Sequence, residues 1–416
     1  MIAVGERVVV TGMGAVTPLG GDIESTWQSA LEGQSGIGPI TLFDPSGMQC
    51  RIAAEVKDFD PTRYMPAKEA RRNDRSVHLA MAAAHQAVND AGLAIDESNA
   101  DDIGVILGSG VGGIGSLSDQ YDVMRDKGPQ RISPFLVPMY IVDMVAGMVS
   151  IALGAKGVNY SIVSACATSG HCIGEAAEVI KRGDASVMVA GGSEAGIVPI
   201  GIGAFDAMRA LSTRNDEPTR ASRPFDVERD GFVMGEAGAV MVLEALAHAQ
   251  DRGAPIHGEL VGHGATGDAY HITSPAESGE GAVRSMRIAL EKAKLQPRDV
   301  EYINAHATST PNGDRAETNA IKTLFGPAAY DVPVSSTKSM TGHLMGAGAA
   351  VEAMFCLLAM RDSTVPPTTN LEEADPACDL DYVPNAARKK KVEIALSNSF
   401  GFGGHNNTLV FKAFHE

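Results

Sequence analysis

Residues 158–183 read VNYSIVSACATSGHCIGEAAEVIKRG, and three textures succeed one another in that stretch. The β-branched run NYSIVSA predicts a strand, and the small residues from Cys166 to Gly170 predict a sharp turn. GEAAEVIKR, closed by a glycine, predicts a helix. A strand that turns into a helix over small residues is a building unit of layered α/β proteins.

The same grammar continues on both sides. RVVVTGMG precedes IESTWQSALEG, and DIGVILGSG, ASVMVAGGSEAG and GAVMVLEALAHAQDRG follow in the first half. In the second half VEYINAHAT precedes NGDRAETNAIKTLFG, VPVSSTKSM precedes GAGAAVEAMFCLLAMRD, and KVEIALSNS and NTLVFKAF close the chain. Two stretches of like pattern suggest an internal duplication. Its seam falls in AHAQDRGAPIHG, residues 247–258, where a helix runs into a Gly/Pro turn. Residues 206–236 are too polar and turn-rich for a core element. Residues 362–390, Pro-rich and acidic and then basic at ARKKK, predict solvated surface.

With 416 residues the chain has room for a substantial core. Its formal net charge of -17 argues against general attraction to nucleic acid or an anionic membrane, so an acidic partner would need a local basic patch. MIAVGERVVVTGMGAV has no basic stretch leading into an apolar run and cleavage site. No apolar run reaches the ~18 residues of a membrane span. The expected location is the cytoplasm. Five scattered cysteines (Cys50, Cys166, Cys172, Cys356 and Cys378) suit reduced thiols better than a disulfide framework.

Cys166, His171 and Cys172 invite a metal reading, but their spacing is not that of ligands on adjacent turns. At about 100° per residue on a helix, Cys172 lies about 240° and His171 about 140° from Cys166. A Cys166–Cys172 disulfide fails on geometry for the same reason. Packing suits Cys50, Cys172, Cys356 and Cys378. Cys166 sits where a strand meets a helix N-terminus. There peptide dipoles favour a thiolate and free N–H groups face outward, so nucleophile and packing residue both stay open. NAHATSTP places His306 after a strand, and KSMTGH places Lys338 and His343 in a like position, at the sheet edge where open α/β proteins build sites. GSGVGG, residues 108–113, satisfies G-x-G-x-x-G. The residues after it open no clear βαβ unit, so a dinucleotide site is disfavoured.

Together, ACATSGHCIG at 165–174, NAHATSTPNGD at 304–314, KSMTGHLMGAGAAVEA at 338–353 and NSFGFGGHN at 398–406 resemble the β-ketoacyl-acyl-carrier-protein synthases. These are condensing enzymes with the thiolase fold. RALSTRNDEPTRASRPFDVERDGFVMGEAGA and DAYHITSPAESG are similar to the type II elongation members of that family. The resemblance implies an α/β fold, a five-layered αβαβα body of two duplicated halves, taken as residues 1–253 and 254–416. It implies a homodimer that extends an acyl chain by condensation with malonyl-acyl-carrier protein. No metal and no cofactor are implied, since the substrates carry phosphopantetheine on acyl carrier protein.

Residue by residue, the resemblance makes Cys166 the nucleophile, with the N–H groups of Cys166 and Phe402 as oxyanion donors. His306, His343 and Lys338 assist condensation, and Glu352 is the structural partner of Lys338. Thr308 and Thr310 bind pantetheine. Gly401, Phe402, Gly403 and Gly404 form a gate, facing a loop with Asp268 and Thr273. Val111, Leu136 and Val137 line the acyl pocket, and Lys68, Arg71, Arg72, Arg131 and Arg209 dock the carrier protein, with Arg63 and Arg75 on the same basic stretch. Ala307 and His405 depart from the family's usual glycine and threonine. GFGGHN lacks the second cysteine of a degradative thiolase. A specialised, polyketide-like pathway and a non-catalytic carrier-binding relative are the alternatives.

Overall fold

The computed structural model describes residues 6–415; Met1–Gly5 of the N-terminal stretch read above, and Glu416, lie outside it. Ten strands form the main sheet: β1 (Val8–Val16), β2 (Ile103–Gly108), β3 (Asn159–Tyr160), β4 (Val187–Glu194), β5 (Ala237–Ala245), β6 (Gly258–Gly267), β7 (Tyr302–Asn304), β8 (Val334–Ser335), β9 (Ile394–Gly401) and β10 (His405–Lys412). Their spatial order is β8-β7-β9-β10-β6-β1-β5-β4-β2-β3. Read outward from the centre, each half repeats one plan. β1-β5-β4-β2-β3 is matched by β6-β10-β9-β7-β8, antiparallel for the first two pairings and parallel for the last two. The halves join where Val9 and Val10 of β1 pair with Glu259 and Gly258 of β6.

The helices repeat as well. α1 (Arg75–Asp90), α2 (Leu136–Tyr140) and α3 (Met144–Leu153) belong to the first half, with α4 (Thr168–Arg182) after the cysteine turn. α5 (Glu280–Ala293), α6 (Pro311–Phe325), the short α7 (Lys338–Thr341) and α8 (Gly348–Asp362) belong to the second. α1 and α3 cover the outer face of the first half-sheet, and α5 packs on the second with α6 against it. α4 and α8 meet between the two. The result is five layers, αβαβα. α8 is apolar almost all round and buried from Gly348 to Met360, as a helix at the centre of such a stack must be.

Close helix-on-sheet packing explains two pairs of strand glycines. A Cβ on Gly14 of β1 would stand 2.1 Å from the Ala83 carbonyl oxygen of α1, and one on Gly264 of β6 would stand 2.0 Å from that of Ser285 in α5. Gly12 and Gly262 repeat the relation against Ala87 and Ala289.

Three expectations need correction. NYSIVSA pairs only at Asn159–Tyr160, because the chain leaves the sheet to make the cysteine turn, with Ala165 at φ 50°. Residues 206–236 contain buried structure despite their polarity. Arg223 pairs with Asp226, and Arg229 with Asp314 and Asp375, all out of solvent. Residues 362–390 are surface only in part, for Tyr382 stacks on Phe225 at 3.7 Å inside the core.

Candidate active site

Cys166 lies in a single 3-10 turn, Ala165–Ala167, directly before α4. The Ser164 N–H donates to Thr168 Oγ1 at 2.9 Å, which closes the turn. Cys172, six residues further, is buried in the core, and His171 turns aside to bring Nδ1 within 2.7 Å of Ser164 Oγ. All five cysteines are free and buried.

Two histidines of the other half share the cavity with Cys166, and one of them reaches its sulfur. His343 follows α7, and its Nε2 lies 2.9 Å from Cys166 Sγ. His306 follows β7, its ring centre 5.5 Å from that of His343 and nearly perpendicular to it. Phe232 and Phe400 wedge the two rings edge-on at 5.3 and 5.6 Å. Lys338, at the first position of α7, forms a buried ion pair with Glu352 of α8, and its Nζ also donates to the Ala305 carbonyl at 3.4 Å.

Burial and the neighbouring Lys338 ammonium hold both rings in the neutral form, His306 well below the ordinary imidazole value and His343 at about 3. Burial also pushes the Cys166 thiol up to about 12, although Lys338 and the N–H groups of Phe402 and of Cys166 itself pull the other way. A helix N-terminus favours the anion, but desolvation in this pocket outweighs it.

A cavity of about 390 Å³ opens over the sulfur. Cys166, His306, His343, Thr308, Thr310, Gly401, Phe402, Gly404, Asp268, Thr273 and Arg209 all line it. Thr308 and Thr310 share a hydroxyl hydrogen bond at 3.1 Å. The GFGG turn joins β9 to β10 and is stitched to the facing loop. The Asp268 N–H donates to the Gly404 carbonyl at 2.9 Å, the Gly403 N–H to that of Ile272 at 2.8 Å, and Asn406 Nδ2 to Asp268 Oδ1 at 2.6 Å. Ala307 is buried, its N–H donating to Glu317, while His405 is exposed beside the turn.

Val111, Leu136 and Val137 do not line this cavity. In the single chain α2 packs outside the 109–113 loop, so Val111 and Val137 face solvent and Leu136 is half-buried. GSGVGG holds no nucleotide phosphate, because the Glu194 carboxylate already accepts from the Gly110 and Val111 N–H groups. Among the basic residues, Lys68, Arg71, Arg131 and Arg209 are exposed. Arg72 lies over the Phe135 ring at 4.4 Å, which sets residues 67–72 beside 131–135. Arg75 leaves the patch, since it pairs with buried Glu236 at 2.7 Å.

Two site carboxylates escaped the sequence reading. Glu317 of α6 accepts from the N–H groups of His306 and Ala307 at 3.0 and 2.7 Å and from Asn398 Nδ2 at 3.1 Å, fixing the loop that carries His306. Burial raises it to about 6. Its signal was available, since Asp314, Glu317 and Ile321 share one face of a helix, and acids on a buried face need partners. Glu194 closes a strand buried along its whole length.

Comparison with known proteins places this geometry. Two family profiles match in order, "Beta-ketoacyl synthase, N-terminal domain" over residues 5–249 and "Beta-ketoacyl synthase, C-terminal domain" over residues 257–372. A 3-oxoacyl-[acyl-carrier-protein] synthase 2 of Synechocystis sp. is 53% identical over 409 residues, covering 98% of each chain. The crystal structure of a beta-ketoacyl synthase from Burkholderia phymatum STM815 superposes with a TM-score of 0.91 at 37% identity, covering 99% of this chain and 100% of that one. A ketosynthase bound to the hexaketide, in complex with its type II PKS acyl-carrier protein, superposes at 0.90 with 33% identity, covering 98% and 100%. With both profiles matched in sequence order and half of all residues shared end to end with a curated relative, the chain belongs to the beta-ketoacyl synthase family.

Proposed function

We propose that this protein is a β-ketoacyl-acyl-carrier-protein synthase of fatty acid elongation, in which Cys166 carries the growing acyl chain. The observation that carries the reading is the meeting of Cys166 Sγ with His343 Nε2 at 2.9 Å, beside His306, at the floor of one cavity. The 53% identity to a 3-oxoacyl-[acyl-carrier-protein] synthase 2, against 33% to a ketosynthase with a type II PKS carrier, favours general elongation over a specialised pathway.

In the first half-reaction the Cys166 sulfur attacks the thioester of an acyl-carrier protein, and its proton ends on the departing carrier thiol. The N–H groups of Phe402 and Cys166, already directed at the sulfur, suit the oxyanion that forms. In the second, malonyl-carrier protein loses CO₂, and the enolate needs hydrogen-bond donors at its oxygen. Neutral His306 and His343 supply ring N–H groups there without a strong base. The enolate carbon attacks the acyl thioester, and the released Cys166 sulfur takes up one proton. Lys338, anchored by Glu352, adds positive charge. Thr308 and Thr310 suit the amides of pantetheine, and the glycine-flanked Phe402 suits a gate that swings as the acyl chain enters. No cofactor enters this chemistry.

The reading takes 1–253 and 254–416 as the duplicated halves, supported by their matching strand order. It makes the protein a cytoplasmic homodimer; no helix among the described residues is long and apolar enough to cross a membrane. The dimer is supported by the open edge of β3 and exposed apolar side chains around it, Ile151 at 73% and Val163 at 51%. Docking of an acidic carrier is supported by Lys68, Arg71, Arg131 and Arg209, exposed cations without an ion pair among the described residues.

Incubation with acyl-carrier protein followed by peptide mass mapping tests the reading. The acyl mass appears on the Cys166 peptide, and adding malonyl-carrier protein releases CO₂ and β-ketoacyl product. Label elsewhere, or none, refutes it.

A further inference from the structure

Glu194 is the last residue of β4 and is buried to 1% exposure. Its carboxylate accepts four hydrogen bonds. Oε1 takes the Ser109 hydroxyl at 2.7 Å and the Val111 N–H at 3.2 Å, and Oε2 takes the N–H groups of Gly110 at 2.8 Å and Gly346 at 3.0 Å. Three of these donors belong to the loop after β2, and the fourth to the loop after His343. The two loops come from different halves of the chain, and the carboxylate is the point at which both are held.

The seat is built to fit. A Cβ on Gly110 would lie 2.6 Å from Oε2, and one on Gly346 would lie 2.8 Å from it and 2.6 Å from the Gly110 nitrogen. Gly346 follows Met345, a pocket-lining residue held at φ 48°. No cation pairs with Glu194 among the described residues, so neutral donors alone hold a buried carboxylate. Single buried acids are costly unless fully hydrogen-bonded, and this one is. The Cys166 turn lies next to it, for the Ala165 carbonyl oxygen is 3.9 Å from the Gly110 Cβ position.

We propose that Glu194 is a positioning residue for the condensation: it ties the 109–111 loop to the loop that follows His343. That tie keeps His343 and the Val111 loop in register across the seam between halves. This inference rests on the reading of Cys166 as the acyl-carrying thiol.

The test uses the full-length protein and three substitutions. Glu194→Ala removes the tie, and its condensation kcat falls at least tenfold with KM for the carrier substrates changed less than threefold. Glu194→Gln keeps an oxygen that can bridge Gly110 and Gly346, so it recovers most of that loss, a rescue that follows from the tie. Should Glu194→Ala fail to fold, Gly346→Ala decides: its Cβ would meet Oε2 at 2.8 Å and the Gly110 nitrogen at 2.6 Å, forcing the loops apart and lowering kcat at unchanged KM. A folded Glu194→Ala variant with kcat within twofold of wild type, a Glu194→Gln variant no better than it, or a Gly346→Ala variant with wild-type kcat overturns the proposal. Wild-type protein that takes no acyl label on Cys166 refutes the condensing-enzyme reading instead, and the His343 ring NMR signals, which shift in Glu194→Ala and need no substrate, still report on the tie.

Discussion

Lys338 and Glu352 meet behind the two histidines with almost no solvent contact, and breaking such a pair costs more than the pair itself contributes. Glu352→Gln leaves the ammonium without its counter-charge and destabilises the fold by about 3–5 kcal/mol. Urea unfolding measures that loss; a midpoint within error of wild type contradicts the pairing. The histidines carry a second prediction. Unfolded, each titrates at about 6.5; folded, both lie lower, His343 at about 3. The folded protein therefore binds fewer protons on these rings below pH 6.5, and their contribution to stability falls as the pH drops from there towards the folded values. Glu317 and Asp314, each raised to about 6, act in the opposite sense: the folded state takes their protons first, and their contribution is lost as pH rises through 6. Histidine NMR on selectively labelled protein shows no protonation of His306 or His343 between pH 7.5 and 5. A midpoint near 6.5 for either ring contradicts the electrostatics.

At the scale of elements, the duplication has an energetic consequence. Gly14 and Gly264 hold equivalent places on β1 and β6, each pressed against a helix carbonyl that cannot retreat without moving the helix. Gly14→Ala and Gly264→Ala each cost about 1–3 kcal/mol by overpacking, read as a lower urea midpoint at unchanged m-value. A neutral result at either site contradicts the close approach. Elements were also where the sequence reading was strongest. β1, β4 and β5, and α4 and α8, stand where the β-branched and Ala-rich runs put them, since hydrophobic period decides an element that is buried along its length. NYSIVSA shrank to two paired residues because the chain leaves the sheet after Tyr160 to make the cysteine turn, while β2 runs on to Gly108 with no strand partner on that side among the described residues.

Over the whole molecule, the exposed apolar face beside β3 and the basic segment 67–72 predict assembly. The wild-type chain sediments at twice 43.4 kDa, and Ile151→Glu, at a site already facing solvent, gives a folded monomer. A monomeric wild-type chain refutes the dimer. Charge reversal at Lys68 and Arg71 raises KM for both carrier substrates on the order of tenfold with little change in kcat, and the effect shrinks as salt rises. A salt-independent KM contradicts electrostatic docking.

By itself the sequence determined the alternation of strands and helices and the position of Cys166 at a strand-to-helix turn, since local pattern and turn chemistry govern both. Its motifs also pointed to the family. Only the tertiary structure decided the rest. Cys166 and His343 stand 177 positions apart in the chain and 2.9 Å apart in space, and no local pattern encodes that distance. The thiol's protonation, the burial of Arg223 and Arg229, and the exposure of Val111 and Val137 depend likewise on what other segments cover or leave open. Polarity along a chain records what a residue prefers; desolvation, which sets its charge and its cost, is a property of the packed neighbours.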